Sequence, residues 1–258
     1  VGTVELRRGR DRGRTVGAGR DTAHSFSFGA HYDPDNTSFG LLLAHNEDVL
    51  QPRAGYDEHP HARLDIVSWV VSGRLGHVDP VGGTNSVGPG QVQYLGTGRG
   101  IVHSERNAAD EPVRYVQMWL PSERDEPSYQ WADLNDALDR DRSGWTPVAS
   151  GLARHRGLAP IELSQAGAGL SAVRLGPGGS IGLVSAPLVH LFVTRGEVSL
   201  EGPAGLEGSA GSVGSAAPRR GARLGAGDAV RLTDPAAITL RTDTGCELLA
   251  WEMLSGLD

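Results

Sequence analysis

Three of the nine histidines fall in two short motifs, His59-Pro60-His61 and His103-Ser104-Glu105. In a β-strand, residues two apart point to the same face. His59 and His61 can therefore aim at one point, and so can His103 and Glu105. If the two strands lie side by side, three imidazoles and one carboxylate converge. Those donors suit a divalent first-row metal. Two unrelated surface clusters of histidine would be the plain alternative. Three neutral imidazoles and one carboxylate on a divalent cation leave a site charge of about +1. An octahedral ion would keep two positions open for water, oxygen or a chelating substrate.

Tight turns must bring such strand ends together, and glycine supplies them. Gly55 precedes His59, Gly73 ends the strand after His61, and Gly98 and Gly100 precede His103. Around these motifs the chain reads as short β-runs. Ile66–Val71 is a buried strand, and Gln91–Leu95 and Arg114–Leu120 alternate. Asp33-Pro34-Asp35-Asn36 is a turn. Ala132–Arg142 is the one plausible helix of the first half. A second set of strands follows at 170–173, 181–184, 189–193, 197–200, 229–232, 238–240 and 247–251. Trp69–Leu75 and Leu191–Val198 echo each other as strand, glycine turn and strand, which suggests two copies of one β-fold. The boundary falls between 121 and 150, giving domains 1–135 and 136–258. The Gly202–Gly227 stretch, rich in Gly, Ala and Ser, reads as a long surface loop.

Composition narrows the function. Glycine is abundant, at 37 of 258 residues, which favours many turns and an all-β chain. The 24 basic residues are all arginine and face 31 acidic ones, for a net charge of −7. That balance argues against a nucleic-acid binder. The absence of lysine excludes Schiff-base and P-loop chemistry. Cys246, the single cysteine, allows no intrachain disulfide and reads as a structural residue. No apolar run approaches membrane-spanning length, so the expectation is a cytoplasmic protein with no membrane partner. The arginines at 7, 8, 10, 12 and 14 read as a charged, solvated edge rather than an anion-gripping arm.

The histidine motifs with their glycines resemble the two motifs of the cupin superfamily. More narrowly, His24-Ser25-Phe26-Ser27-Phe28, His59-Pro60-His61, the Gly98 and Gly100 turn, His103-Ser104-Glu105 and Gln117-Met118-Trp119 resemble the pirin family. The likeness is strong over 24–120 and weaker over 187–254. It implies a bicupin: two jelly-roll-type β-barrels facing each other, with metal only in the first. It implies His59, His61, His103 and Glu105 as ligands of one divalent metal. Iron is the usual one, and Mn, Ni, Co, Cu or Zn are alternatives. It also implies a dioxygenase opening a flavonol such as quercetin with O2, with Glu105 as the base. A non-catalytic iron-binding redox sensor that binds a partner protein is the alternative. A monomer is expected. The general motif has a glutamate where this chain has Asp65. The resemblance implies that this acid is not a direct ligand, so the site should survive, with a hydrogen bond from it to a ligand histidine altered. Arg63 could pair with Asp65 or with an anionic substrate, but a plain surface ion pair is the expectation.

Overall fold

A computed structural model describes residues 2–202 and 221–257. Strands dominate, and one α-helix, Asn135–Arg140, occurs among the described residues. The helix is shorter than the sequence suggests, because Ser128–Asp133 is a strand paired with Gln91–Gly96. No helix is long and apolar enough to cross a membrane.

Two compact units emerge, interleaved in sequence rather than divided at a single point near 135. One comprises Arg12–Asp136, Pro147–Gly169 and Leu257–Asp258; the other comprises Val1–Asp11, Ala137–Thr146 and Leu170–Gly256.

The first of these units is built on two sheets. A seven-stranded sheet runs in the order Ser128–Asp133, Gln91–Gly96, Leu64–Ser72, Val113–Pro121, Ala44–Leu50, Arg20–His24 and Gly13–Gly17. A four-stranded sheet runs Gly55–His61, Ile101–Asn107, Leu75–Asp79 and Gly83–Val87. The strand Leu64–Ser72 is buried over seven consecutive positions from Asp65 to Val71, so Ile66, Val67 and Trp69–Val71 need no alternation with exposed residues. Leu50, Val70, Leu75, Val87, Val113 and Tyr115 form one apolar cluster of the unit.

The second unit carries Thr3–Arg7, Ala229–Thr233, Leu188–Glu201 and Cys246–Met253 side by side. Its longest strand corrects the expected hairpin at 191–198. Leu188–Glu201 is continuous, with a bulge at Thr194 between the Val193 and Arg195 pairings. The bulge and Gly196 bend one strand instead of reversing it. Its first half pairs with Ala229–Thr233 and its second half with Thr239–Arg241 and Arg223–Gly225. The last strand also corrects part of the expected Gly202–Gly227 loop; residues 203–220 of that stretch lie outside the described residues.

The arginine-rich start is satisfied by carboxylates. Arg7 pairs with Glu5, Arg8 with Asp228, Arg12 with Glu47 and Arg14 with Asp21. Thr3–Arg7 and Gly13–Gly17 are edge strands as expected, but Arg12 is not solvated: its side chain is 9% exposed in the pair with Glu47.

Candidate metal centre

The two histidine motifs lie on adjacent antiparallel strands. His59 is directly opposite His103, and His61 opposite Ile101. The ring centroids are 4.4 Å apart for His59 and His103, 5.1 Å for His61 and His103, and 4.9 Å for His59 and His61. One nitrogen from each can sit within 4.8 Å of the others. The His59 Nδ1–H donates to the Asp57 carbonyl at 2.7 Å, which leaves its Nε2 as the free donor. The Nε2 atoms of His61 and His103 are buried and have no protein partner among the described residues. Buried polar atoms are nearly always satisfied, so three converging imidazole nitrogens fit a divalent cation. Burial and the neighbouring His59 lower the pKa of His61 to about 4. Burial, then His59, His77 and His61, lower that of His103 to about 3. Both rings are therefore neutral near pH 7, the form that binds metal.

Glu105 sits beyond the bulge between His103 and Glu105, on the same strand. It groups with His103 and His77 rather than with His59 and His61. Its two oxygens accept from Gln93 Nε2 at 2.8 Å and Gln117 Nε2 at 2.7 Å. Gln117 is oriented in turn by the Trp119 indole N–H, which donates to its Oε1 at 2.9 Å. Burial pushes the Glu105 carboxyl up to about 7, and the charge of Asp48 adds to the shift. Asp48 is itself raised to about 6 by burial, despite accepting from Thr22 and Tyr56. Trp119 also packs edge-on against His61, with centroids 4.8 Å apart, and Phe28 packs against Trp119 at 5.3 Å.

His77 was not singled out by the spacing of the histidine motifs. It is buried beside His103 and bonds Asp79. The His77-Val78-Asp79 triplet carries the same two-residue spacing as the other motifs and could have flagged it. The Asp65 expectation needs correction. Its carboxylate accepts from Tyr94 OH, Ser164 Oγ and the Ser164 and Gln165 amides, and touches no ligand histidine. Arg63 makes the expected surface ion pair, with Asp125. His45 is buried, with Nδ1 3.3 Å from Ser25 Oγ, and His190 is a buried strand residue of the second unit.

The pattern of the Pirin family matches residues 5–120. A Mycobacterium tuberculosis protein named "Putative quercetin 2,3-dioxygenase" is 41% identical over 97% of this chain and 95% of its own. The chain belongs to the pirin family. A Caulobacter vibrioides pirin-like protein is 33% identical over 54% of this pirin and 60% of its own length. The Escherichia coli quercetin 2,3-dioxygenase is 34% identical over 46% of this chain and 52% of its own. The crystal structure of the E. coli pirin YhhW with nickel(II) matches 99% of this chain and all of its own, with a TM-score of 0.80 at 24% identity. That match makes this pirin a bicupin.

Proposed function

We propose that this pirin is a metal-dependent dioxygenase acting on a flavonol such as quercetin, with His59, His61, His103 and Glu105 holding one divalent metal. The observation that carries the reading is the pair of buried imidazole nitrogens of His61 and His103 without protein partners among the described residues, close to His59 and the buried Glu105 carboxylate. The full-length relative named as a quercetin dioxygenase supports the substrate class. A bound divalent cation would supply a Lewis-acid centre for the chelating 3-hydroxyl and 4-keto oxygens of a flavonol.

The chain's own residues do the rest. Gln93 and Gln117 hold the Glu105 carboxylate in one orientation through both oxygens. Glu105 takes the proton of the substrate's 3-hydroxyl and leaves an electron-rich enolate ring. Trp119 and Phe28 supply an aromatic wall next to His61, suited to the face of a planar substrate. The overall reaction consumes one O2, breaks the 2,3- and 3,4-bonds, places both O2 oxygens on the former C2 and C4 of the ester product and releases C3 with its own oxygen as CO.

The test is oxygen uptake and CO release by the metal-saturated protein with quercetin. Uptake matched by CO supports the reading. No uptake at full metal occupancy overturns it in favour of the iron-binding redox sensor, which a change in partner affinity between Fe(II) and Fe(III) would then detect.

A further inference from the structure

We propose that Asp79 and His77 form a positioning relay that fixes the ring tautomer of His103 and so leaves its Nε2 lone pair bare for the metal. The proposal rests on His103 being a ligand, as above. Neither His77 nor Asp79 has a part in the proposed reaction, yet both are buried, at 1% and 5% exposure.

The direction of each hydrogen bond follows from the one before it. Asp79 Oδ1 accepts the backbone amides of Val81 and Gly82, each at 2.6 Å. That double contact holds the carboxylate in one orientation. Its Oδ2 lies 2.6 Å from His77 Nε2, and a carboxylate can only accept, so His77 carries its proton on Nε2. A neutral imidazole carries a single ring proton. The Nδ1 of His77 is then an acceptor. That atom lies 3.5 Å from His103 Nδ1. His103 must donate there, and its proton cannot also occupy Nε2. The remaining His103 nitrogen is the buried Nε2 that has no protein partner.

The plane of His77 is fixed as well. Tyr129 stacks on it at 4.8 Å with an interplanar angle of 25°. The same tyrosine fills the space over Gly82, where a Cβ would stand 2.5 Å from its ring. Hydrogen bonds behind ligand histidines commonly set their tautomer and basicity. Here the acceptor is a second imidazole, and the carboxylate stands one residue further back.

The test uses the full chain, metal-free and loaded with Zn(II). Nitrogen-15 spectra of the metal-free protein should show His103 protonated at Nδ1 and His77 at Nε2. Zn(II) should shift His103 Nε2 and leave His77 without a coordination shift. His77→Phe keeps an aromatic ring against Tyr129 but removes the acceptor. It should let both His103 tautomers populate and weaken Zn(II) binding by about 10–100-fold in chelator competition. His77→Gln offers a donor to Asp79 and an acceptor to His103, and should recover most of that affinity. His103 protonated at Nε2 in the wild type, Zn(II) coordinated by His77, or His77→Phe binding as tightly as wild type would each overturn the relay. His103→Ala retaining Zn(II) would instead overturn the ligand reading, while the metal-free spectra still judge the relay.

Discussion

The two units place opposite chemistries on the same ladder positions. In the first, Glu105 lies between Tyr56 and His77 on neighbouring strands. In the second, Leu240 lies between Ile181 and Leu200. Ser68 of the first unit pairs with Gln93 and Gln117, the two residues that hold Glu105. Its counterpart Leu191 pairs with Val230 and Ala250. All six counterparts belong to one apolar cluster. The frame is shared down to its irregularities. Each long strand carries one extra residue, Val71 or Thr194, at a bulge. Two residues later stands a glycine, Gly73 with φ +75° or Gly196 with φ +74°. A Cβ on either would come within 2.5 Å of the carbonyl of Pro112 or 2.1 Å of that of Gly245. The backbone therefore fixes where the side chains meet, and the residue types alone decide whether that meeting point stores stability or chemistry.

The sharpest test changes the two matched positions separately. Glu105→Gln should keep the fold and much of the metal but lower flavonol turnover by about 10²–10⁴-fold, the usual cost of losing a general base. Turnover at the wild-type rate with unchanged metal content would break the base assignment. Leu240→Ala should do the reverse. It opens a cavity in a packed cluster and should cost about 2–5 kcal/mol in denaturant unfolding, with metal stoichiometry unchanged in the molecules that remain folded. Equal effects of the two changes on both readouts would erase the contrast between the units.

A smaller contrast lies in pH dependence. Asp48 carries its proton up to about pH 6 in the folded chain, against 3.8 as its ordinary value, because burial disfavours the charge. Between those values the folded state binds more protons than the unfolded state. The contribution of Asp48 to stability is therefore complete below about pH 4 and is lost as pH rises through about 6. Its full span is at most about 3 kcal/mol. Asp48→Asn should flatten that slope while still accepting from Thr22 and Tyr56. Hydrogen exchange should place the wild-type loss in the first unit, where Asp48 lies. A slope identical in wild type and variant would remove Asp48 as its source.

The legible parts of this molecule were those with a strong local period. Ile66–Val71 announces its strand by apolar content and Gln91–Leu95 by alternation, and His59, His61 and His103 announce a shared face by spacing. Residues brought together by long-range register were harder to see. Gln93 and Gln117 look like ordinary polar strand residues until the ladder sets them on either side of Glu105. Thr3–Arg7 belongs with Ala229–Thr233, a pairing across most of the chain that no local pattern encodes. The turn expected near Gly196 failed because glycine with positive φ serves a bulge as well as a reversal.

Asp65 separates the two units once more, and its replacement should have the smallest effect on the metal. It stands where the second unit has Leu188: Asp65 pairs with Gly96 and Leu120, and Leu188 with Thr233 and Met253. An odd step along the strand separates it from Ser68, so the two side chains leave opposite faces. Ser68 bonds Gln117, on the side of Glu105, while Asp65 accepts from Tyr94, Ser164 and Gln165. Its work is to tie the 161–165 segment to the strand rather than to orient a ligand. Asp65→Glu restores the more general motif residue but adds a methylene to a fully buried site. The change should cost about 1–3 kcal/mol through overpacking. Metal affinity should stay within about twofold of wild type, since no ligand or ligand-supporting bond is touched. A gain in metal affinity from Asp65→Glu would show that this carboxylate reaches the centre after all, and that the face separation along the strand does not insulate it.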